Sequence, residues 1–139
     1  MRLVLDTNVL ISALWNPRSV PALTIAAIFD HGVDVLYDAR ALAEYREVLA
    51  RPKFAKIPSA HTEALIAKIV TLGEEVPNVA EWAGPLKDEG DRLFVEIALT
   101  GSANLLITGN LKHFPSGLGF DVHPPATLLA TLHYGIGRA

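Results

Sequence analysis

Acidic side chains lie at the ends of the predicted hydrophobic elements in this 139-residue chain. Asp6 follows a short apolar run, Glu44 lies in a predicted helix, and Asp88 and Asp91 precede another helix. In an open parallel sheet, ligands bind beyond the carboxyl ends of the strands. We therefore expect several of these acids to converge at one edge of a sheet.

Such a convergence of carboxylates predicts a bound divalent cation. Like charges a few ångströms apart disfavour joint ionisation, and a cation removes that penalty. Mg²⁺ and Mn²⁺ prefer oxygen ligands and bind substrate phosphates well. A cation in such a site activates water and neutralises charge during an in-line displacement at phosphorus. Acids without Cys or His ligands therefore favour phosphate chemistry over peptide hydrolysis.

Each candidate also has an ordinary structural explanation. Asp6 and Asp38 are typical helix-capping residues, and Glu44 is typical of a solvated helix face. Asp91 suits the first turn of a helix, and Asn110 suits a turn. Five of the twelve basic residues fall within residues 40–56 and predict either a solvated helix face or a strip that steers phosphate: Arg40, Arg46, Arg51, Lys53 and Lys56.

The composition limits the other classes of function. Half of the residues are hydrophobic, the net charge is −3 and there is no Cys, which together predict one folded domain over residues 1–139 without disulfides or thiolate metal sites. The five His lack zinc-motif spacing, and the chain contains neither GxxxxGK[ST] nor GxGxxG. No apolar run is long enough to cross a membrane, and we expect a cytoplasmic protein.

Alternating strands and helices predict an α/β fold with a mostly parallel sheet covered on both faces. The predicted strands are residues 2–5, 33–37, 75–79, 105–108 and 120–122. Pro77 places the third strand at an edge. The predicted helices are residues 9–14, with Thr7 or Asn8 as cap, and residues 20–30, 39–50, 59–72, 91–100 and 125–133.

Four segments in this order resemble the motifs of the PIN-domain nucleases. They are LVLDTNVL at 3–10, LAEYREVL at 42–49 with RPKF at 51–54, DEGDRLFV at 88–95, and ANLLITGN at 103–110 with KHF at 112–114. The resemblance covers nearly the whole chain and is strongest to the VapC-like toxins of type II toxin–antitoxin systems. It implies a three-layer α/β/α sandwich and a Mg²⁺- or Mn²⁺-dependent endoribonuclease that cleaves single-stranded RNA.

The resemblance also implies a role for individual residues. Asp6, Glu44 and Asp91 match the metal-binding acids, whereas Thr7, Asn8 and Thr108 match the polar residues that support them. The fourth acid of the family is replaced by Asn110, which keeps a carbonyl oxygen but loses a negative charge. Asp88 could compensate as a further metal ligand. A homodimer and an inhibitory antitoxin partner are also implied.

Several alternatives remain at this point. A site that has lost its fourth acid could belong to a catalytically impaired module that only binds RNA or a partner. A phosphatase or receiver domain is disfavoured because Asp6-Thr7-Asn8 lacks a second acid. Three basic residues are candidate RNA contacts, namely Arg40, Arg46 and Lys53. The candidates for stacking on bases are the aromatic residues Trp15, Phe54 and Trp82. Core packing is the better expectation for Phe54.

Overall fold

The computed structural model describes residues 1–134, which form a five-stranded, all-parallel sheet flanked by helices. The strands are β1 (Arg2–Leu5), β2 (Asp34–Tyr37), β3 (Glu74–Glu75), β4 (Leu105–Ile107) and β5 (Asp121–His123). The helices are α1 (Thr7–Trp15), α2 (Val20–Asp30), α3 (Ala39–Leu49), α4 (Ser59–Leu72), α5 (Arg92–Thr100) and α6 (Pro125–Tyr134). The predicted α/β fold is confirmed.

The strand order β3-β2-β1-β4-β5 makes β1 the central strand. β1 pairs with β2 on one side and with β4 on the other, with Leu5 opposite Ile107. The chain builds the sheet in one direction through β3 and then continues on the other side of β1 with β4. In sheets of this kind, ligands bind beyond the strand ends at the point where the strand order reverses. That point lies between β1 and β4, directly after Leu5 and Ile107.

The helices pack against one another and onto the sheet. α2 packs against α1 and α6, whereas α5 packs onto β1, β2 and β4, and α4 packs onto β2 and β3. Apart from Arg2, the side chains of β1 and β4 are apolar and buried, and Leu3, Val4 and Leu5 are fully buried. Burial on both faces explains why these strands show continuous apolar runs instead of alternation.

The start of α1 differs from the prediction. The helix begins at Thr7, so neither Thr7 nor Asn8 is its cap. Asp6 occupies the N-cap position, but its side chain makes no capping hydrogen bond. Its carboxylate instead accepts hydrogen bonds from Thr108 and Asn8. The residue after β1 is therefore held for another purpose than closing the helix.

The third strand is also shorter than predicted. It is confined to Glu74 and Glu75, at the edge of the sheet next to β2, and residues 77–79 are not part of it. Pro77 lacks the backbone N–H that a ladder requires, and Asn78 has a positive φ of 53°, which turns the chain away from the strand direction. Within residues 1–134, the helices are too short or too polar to cross a membrane.

Candidate metal-binding active site

An open cavity of about 370 Å³ lies beyond the carboxyl end of the central strand. Its walls come from the segment after β1, from α3, from the turn before α5 and from the segment after β4. The four acids that the sequence predicted to converge all line this cavity: Asp6, Glu44, Asp88 and Asp91. Residues spread over more than eighty positions of the chain are thus brought to one place by the parallel topology.

Asp6 is the most firmly held of these acids. It is buried, and its Oδ2 accepts hydrogen bonds from the Thr108 hydroxyl at 2.7 Å and from Asn8 Nδ2 at 3.1 Å. Asn8 also accepts a hydrogen bond from the Gly109 N–H at 3.0 Å, which ties α1 to the segment after β4. Thr7 and Asn8 line the cavity, and the side chains of Asn8 and Thr108 hold Asp6. Their catalytic contribution remains a prediction.

The electrostatics of the site disfavour bare carboxylates. Burial raises the pKa of Asp6, although hydrogen bonds from Thr108 and the Thr7 backbone act against this. Burial, followed by the charges of Asp6 and Asp88, raises the pKa of Asp91 to about 6. Burial and the neighbouring Glu47 raise the pKa of Glu44. A divalent cation among these groups would lower the cost of ionising them together.

Thr7 provides an independent sign that the cavity accommodates a polar ligand. Its side chain lines the cavity, the residue is only 7% exposed, and its hydroxyl has no hydrogen-bond partner among the described residues. Buried hydroxyl groups in folded proteins nearly always have a partner. Carboxylates and a hydroxyl are oxygen donors, so this set of residues fits a hard divalent cation with its water shell.

His113 is a site residue that the sequence reasoning missed. Its Nδ1 lies 3.2 Å from Asp91 Oδ2, and one ligand atom each from Asp88, Asp91 and His113 lie within 4.8 Å of one another. The missed signal was the position of His113 three residues after Asn110, within the last of the matched motifs. Spacing between His residues could not reveal it, because its partners are acids distant in sequence.

Asn110 also lines the cavity, as predicted for the position of the fourth acid. Its backbone N–H donates to the Thr108 hydroxyl at 2.9 Å, and the residue is exposed. The turn Leu111–His113 follows directly, and the buried Phe114 anchors the end of that turn. The same short segment therefore supplies both an amide and an imidazole to the cavity.

The predicted basic contacts are divided by the structure. Lys53 lines the cavity together with Arg51 and Phe54. Arg40 instead forms ion pairs with Asp38 at 2.9 Å and with the buried Glu96 at 2.8 Å. Arg46 also lies outside the cavity. It pairs with Glu63 at 3.2 Å and lines a separate groove beside α4.

The segment before α5, which carries Asp88, is held at its far end by two helix side chains. Glu96 accepts a hydrogen bond from the Trp82 N–H at 3.0 Å. Arg92 donates to the carbonyl oxygens of Trp82 at 2.7 Å and Gly84 at 2.9 Å, and its guanidinium lies 5.4 Å from the Trp82 ring centroid. Burial opposes ionisation of Glu96, but hydrogen bonds from Arg40 and the Trp82 N–H outweigh it and lower the pKa of Glu96.

Comparisons with known proteins agree with this geometry. The model of the PIN domain family matches residues 2–112, which include all four acids of the cavity. Uncharacterized protein MJ1680 of Methanocaldococcus jannaschii is 31% identical over 115 residues, covering 79% of this chain and 71% of that protein. No solved structure matches the chain.

Proposed function

This chain belongs to the PIN domain family, and from that premise we propose that it is a metal-dependent endoribonuclease that cleaves single-stranded RNA. The observation that carries the proposal is the convergence of Asp6, Glu44, Asp88 and Asp91 on one cavity at the switch point of the sheet. PIN domains are generally metal-dependent nucleases, and this cavity has the oxygen donors that such chemistry requires.

The acids would hold the cation, Mg²⁺ or Mn²⁺. Asp6, Glu44 and Asp91 are the catalytic ligands in this proposal, with Asp88 and the Asn110 carbonyl oxygen as further ligands. A bound cation supplies positive charge at the scissile phosphate and activates water for in-line attack. Thr108 and Asn8 orient Asp6, so that its carboxylate keeps one position during the reaction.

The basic wall of the cavity would bind the phosphate backbone. Arg51 and Lys53 line the cavity together with the acids, and Lys53 lies beyond the end of α3 on the short turn Pro52–Phe54. Positive charge beside an acidic metal site attracts phosphates while the cation offsets the repulsion from the acids. The other two predicted contacts, Arg40 and Arg46, lie outside the cavity in ion pairs with acids and would contribute less to RNA binding. Arg51 is paired as well, with Glu47, but it lines the cavity.

A single strand is proposed because an aromatic surface borders the cavity. Trp15 is 44% exposed, and its ring centroid lies 6.4 Å from that of Phe54, which lines the cavity. Lys56 Nζ lies 4.9 Å from the Trp15 centroid and Lys53 Nζ lies 5.1 Å from the Phe54 centroid. Aromatic side chains among cations are typical of single-stranded nucleic-acid binding, in which unpaired bases stack and phosphates pair with the cations.

The decisive experiment is cleavage of end-labelled single-stranded RNA in EDTA, Mg²⁺ or Mn²⁺, with labelled duplex RNA and single-stranded DNA as alternative substrates. Asp6→Asn should abolish the metal-dependent cleavage. Asp34→Asn is the matched control, because Asp34 is exposed and begins β2 at the opposite end of the sheet. Unchanged cleavage by Asp6→Asn would exclude Asp6 from the mechanism, and equal cleavage of DNA would contradict the selectivity for RNA.

The finer proposal is that the enzyme is the toxin of a type II toxin–antitoxin system, acting as a homodimer in the cytoplasm. The order of its motifs, which resembles the VapC-like toxins, supports this. Expression should arrest bacterial growth, and Asp6→Asn should not. Sedimentation equilibrium should give twice the 15.0 kDa chain mass. Cleavage in vitro without growth arrest would leave a nuclease and remove the toxin role.

The second candidate function is a binding module with an impaired site. The replacement of the fourth acid by Asn110 favours it. Asn110→Asp distinguishes the two functions. A large gain in cleavage would show that the native site is impaired, whereas no gain would show that the amide suffices.

A further inference from the structure

The proposed metal-dependent activity is the basis of a further step: we propose that His113 is a cation ligand and that its imidazole makes the site select first-row transition cations over Mg²⁺. Asp88 and Asp91 are its partners in this subsite. The oxygen ligand set expected from the sequence thereby gains a nitrogen donor.

The geometry places the three side chains within reach of one ion. His113 Nδ1 is 3.2 Å from Asp91 Oδ2, and one ligand atom from each of the three residues lies within 4.8 Å of the other two. Ligand atoms about 2.1 Å from a cation lie about 3 Å apart when adjacent and about 4 Å apart when opposite. Asp88 is exposed and His113 is partly exposed, so their side chains have room to rotate toward a shared ion.

The turn that carries His113 is fixed from both sides. The His113 N–H donates to the Asn110 carbonyl oxygen at 3.0 Å, and the next residue, Phe114, is buried in the core. The Asn110 N–H donates a hydrogen bond to the Thr108 hydroxyl, which in turn donates to the Asp6 carboxylate. A short chain of hydrogen bonds therefore links the turn that carries the imidazole to Asp6, the most firmly held acid of the site.

A second observation points to a ligand in the same cavity. The Thr7 hydroxyl, on a residue that is 7% exposed, lines the cavity and finds no partner within residues 1–134. A water molecule bound to a cation would supply the missing hydrogen bond. This observation is independent of the acids and of His113.

The selectivity follows from ligand chemistry. Mg²⁺ is a hard cation that strongly prefers oxygen, whereas an imidazole nitrogen binds transition cations more strongly as the series proceeds from Mn²⁺ to Co²⁺. Removing the imidazole should therefore weaken the binding of transition cations more than the binding of Mg²⁺. Because Asn110 supplies only a neutral oxygen, His113 also restores a stronger donor on the segment after β4.

The test is carried out on the full chain without RNA. Pulsed electron paramagnetic resonance of the Mn²⁺-loaded protein should show ¹⁴N coupling from a directly bound imidazole. The coupling should disappear in His113→Ala and persist in His61→Ala, which removes an exposed histidine at the start of α4. Calorimetry should show that His113→Ala lowers the affinity for Co²⁺ and Mn²⁺ by about tenfold or more and the affinity for Mg²⁺ by less than about threefold.

His113→Asp gives a second measurement that does not depend on the alanine variant. It returns an oxygen donor, so Mg²⁺ affinity should be kept or increased while the preference for Co²⁺ over Mg²⁺ falls. Mn²⁺ binding without ¹⁴N coupling, or equal losses for all three cations in His113→Ala, would overturn this inference and leave the nuclease proposal intact. Absence of any cation binding to the folded wild type would overturn both.

Discussion

The Tyr45 hydroxyl donates a hydrogen bond to the Leu5 carbonyl oxygen at 2.6 Å. Tyr45 follows Glu44 on α3, and Leu5 precedes Asp6 at the end of β1, so this one bond joins the segments that carry two of the metal-site acids. Tyr45 is fully buried and stacks on Phe94 of α5 with ring centroids 5.9 Å apart. Burial raises the pKa of the phenol, which therefore stays protonated and remains a donor.

Tyr45→Phe should weaken both the fold and the site. The change keeps the stacked ring and removes only the hydroxyl, so the free energy of unfolding should fall by about 1 kcal/mol. Cation affinity should fall as well, because Glu44 loses its tie to the end of β1. Urea unfolding and calorimetry measure the two effects. Tyr134→Phe is the control, since Tyr134 is 78% exposed; an equal effect in that variant would contradict the assignment.

The stability of the cation-free protein should fall as the pH rises toward neutrality. The pKa of Asp91 is raised from 3.8 to about 6, mainly by burial and then by Asp6 and Asp88. Between these values the folded protein holds a proton that the unfolded chain has released. This stabilising contribution is complete below pH 3.8 and is lost as the pH rises through about 6.

Denaturant unfolding in EDTA from pH 4 to pH 8 measures this dependence for wild type and Asp91→Asn. The variant should have a flatter profile, because its amide does not titrate. Asp34→Asn should keep the wild-type profile. A profile for Asp91→Asn that superimposes on wild type would show that Asp91 does not carry the effect.

Trp15 should report directly on RNA binding. With Trp82 replaced by Phe, Trp15 is the only tryptophan in the chain, and stacking of a base on it should quench its fluorescence. In a cleavage-inactive Asp6→Asn background, Trp15→Ala should lower the affinity for single-stranded RNA by roughly tenfold. Leu23→Ala, which truncates another half-exposed apolar residue, is the control. Saturating RNA binding without any change in Trp15 emission would argue against stacking.

Arg92→Ala should loosen the segment that carries Asp88. The change removes the hydrogen bonds to the carbonyl oxygens of Trp82 and Gly84. Amide exchange of residues 82–88 should accelerate, and cation affinity should fall by roughly tenfold, as is typical when a residue that orients a ligand is removed. Arg18→Ala, at an exposed position before α2, should change neither quantity. Faster exchange with unchanged cation affinity would separate Asp88 from the metal site.

The predictable part of this molecule depends on short-range patterns. The run Leu3-Val4-Leu5 is apolar because it forms a central strand, and an acid directly after it lies at the ligand-binding end of any parallel sheet. Asp38 was expected to cap α3, and its carboxylate accepts the Ala41 N–H at 2.9 Å. Local chemistry decides such features, so the sequence displays them.

The unpredicted part depends on long side chains and distant partners. Arg40 was expected to contact RNA, but its guanidinium pairs with the buried Glu96, fifty-six residues away in the sequence. His113 approaches Asp91 only because β4 and α5 meet at the end of the sheet. Neither relationship has a periodic signal, since each arises from the crossing of elements in space.

Thr108 has a consequence for how Asp6 meets a cation. Its single hydroxyl proton goes to Asp6 Oδ2, while its oxygen accepts from Asn8 Nδ2 at 3.3 Å and from the Asn110 N–H at 2.9 Å. Oδ2 also accepts from Asn8 at 3.1 Å, which occupies both of its lone pairs. Asp6 would therefore bind a cation through Oδ1 alone. A single oxygen from Asp6 would leave coordination positions for water and phosphate oxygens.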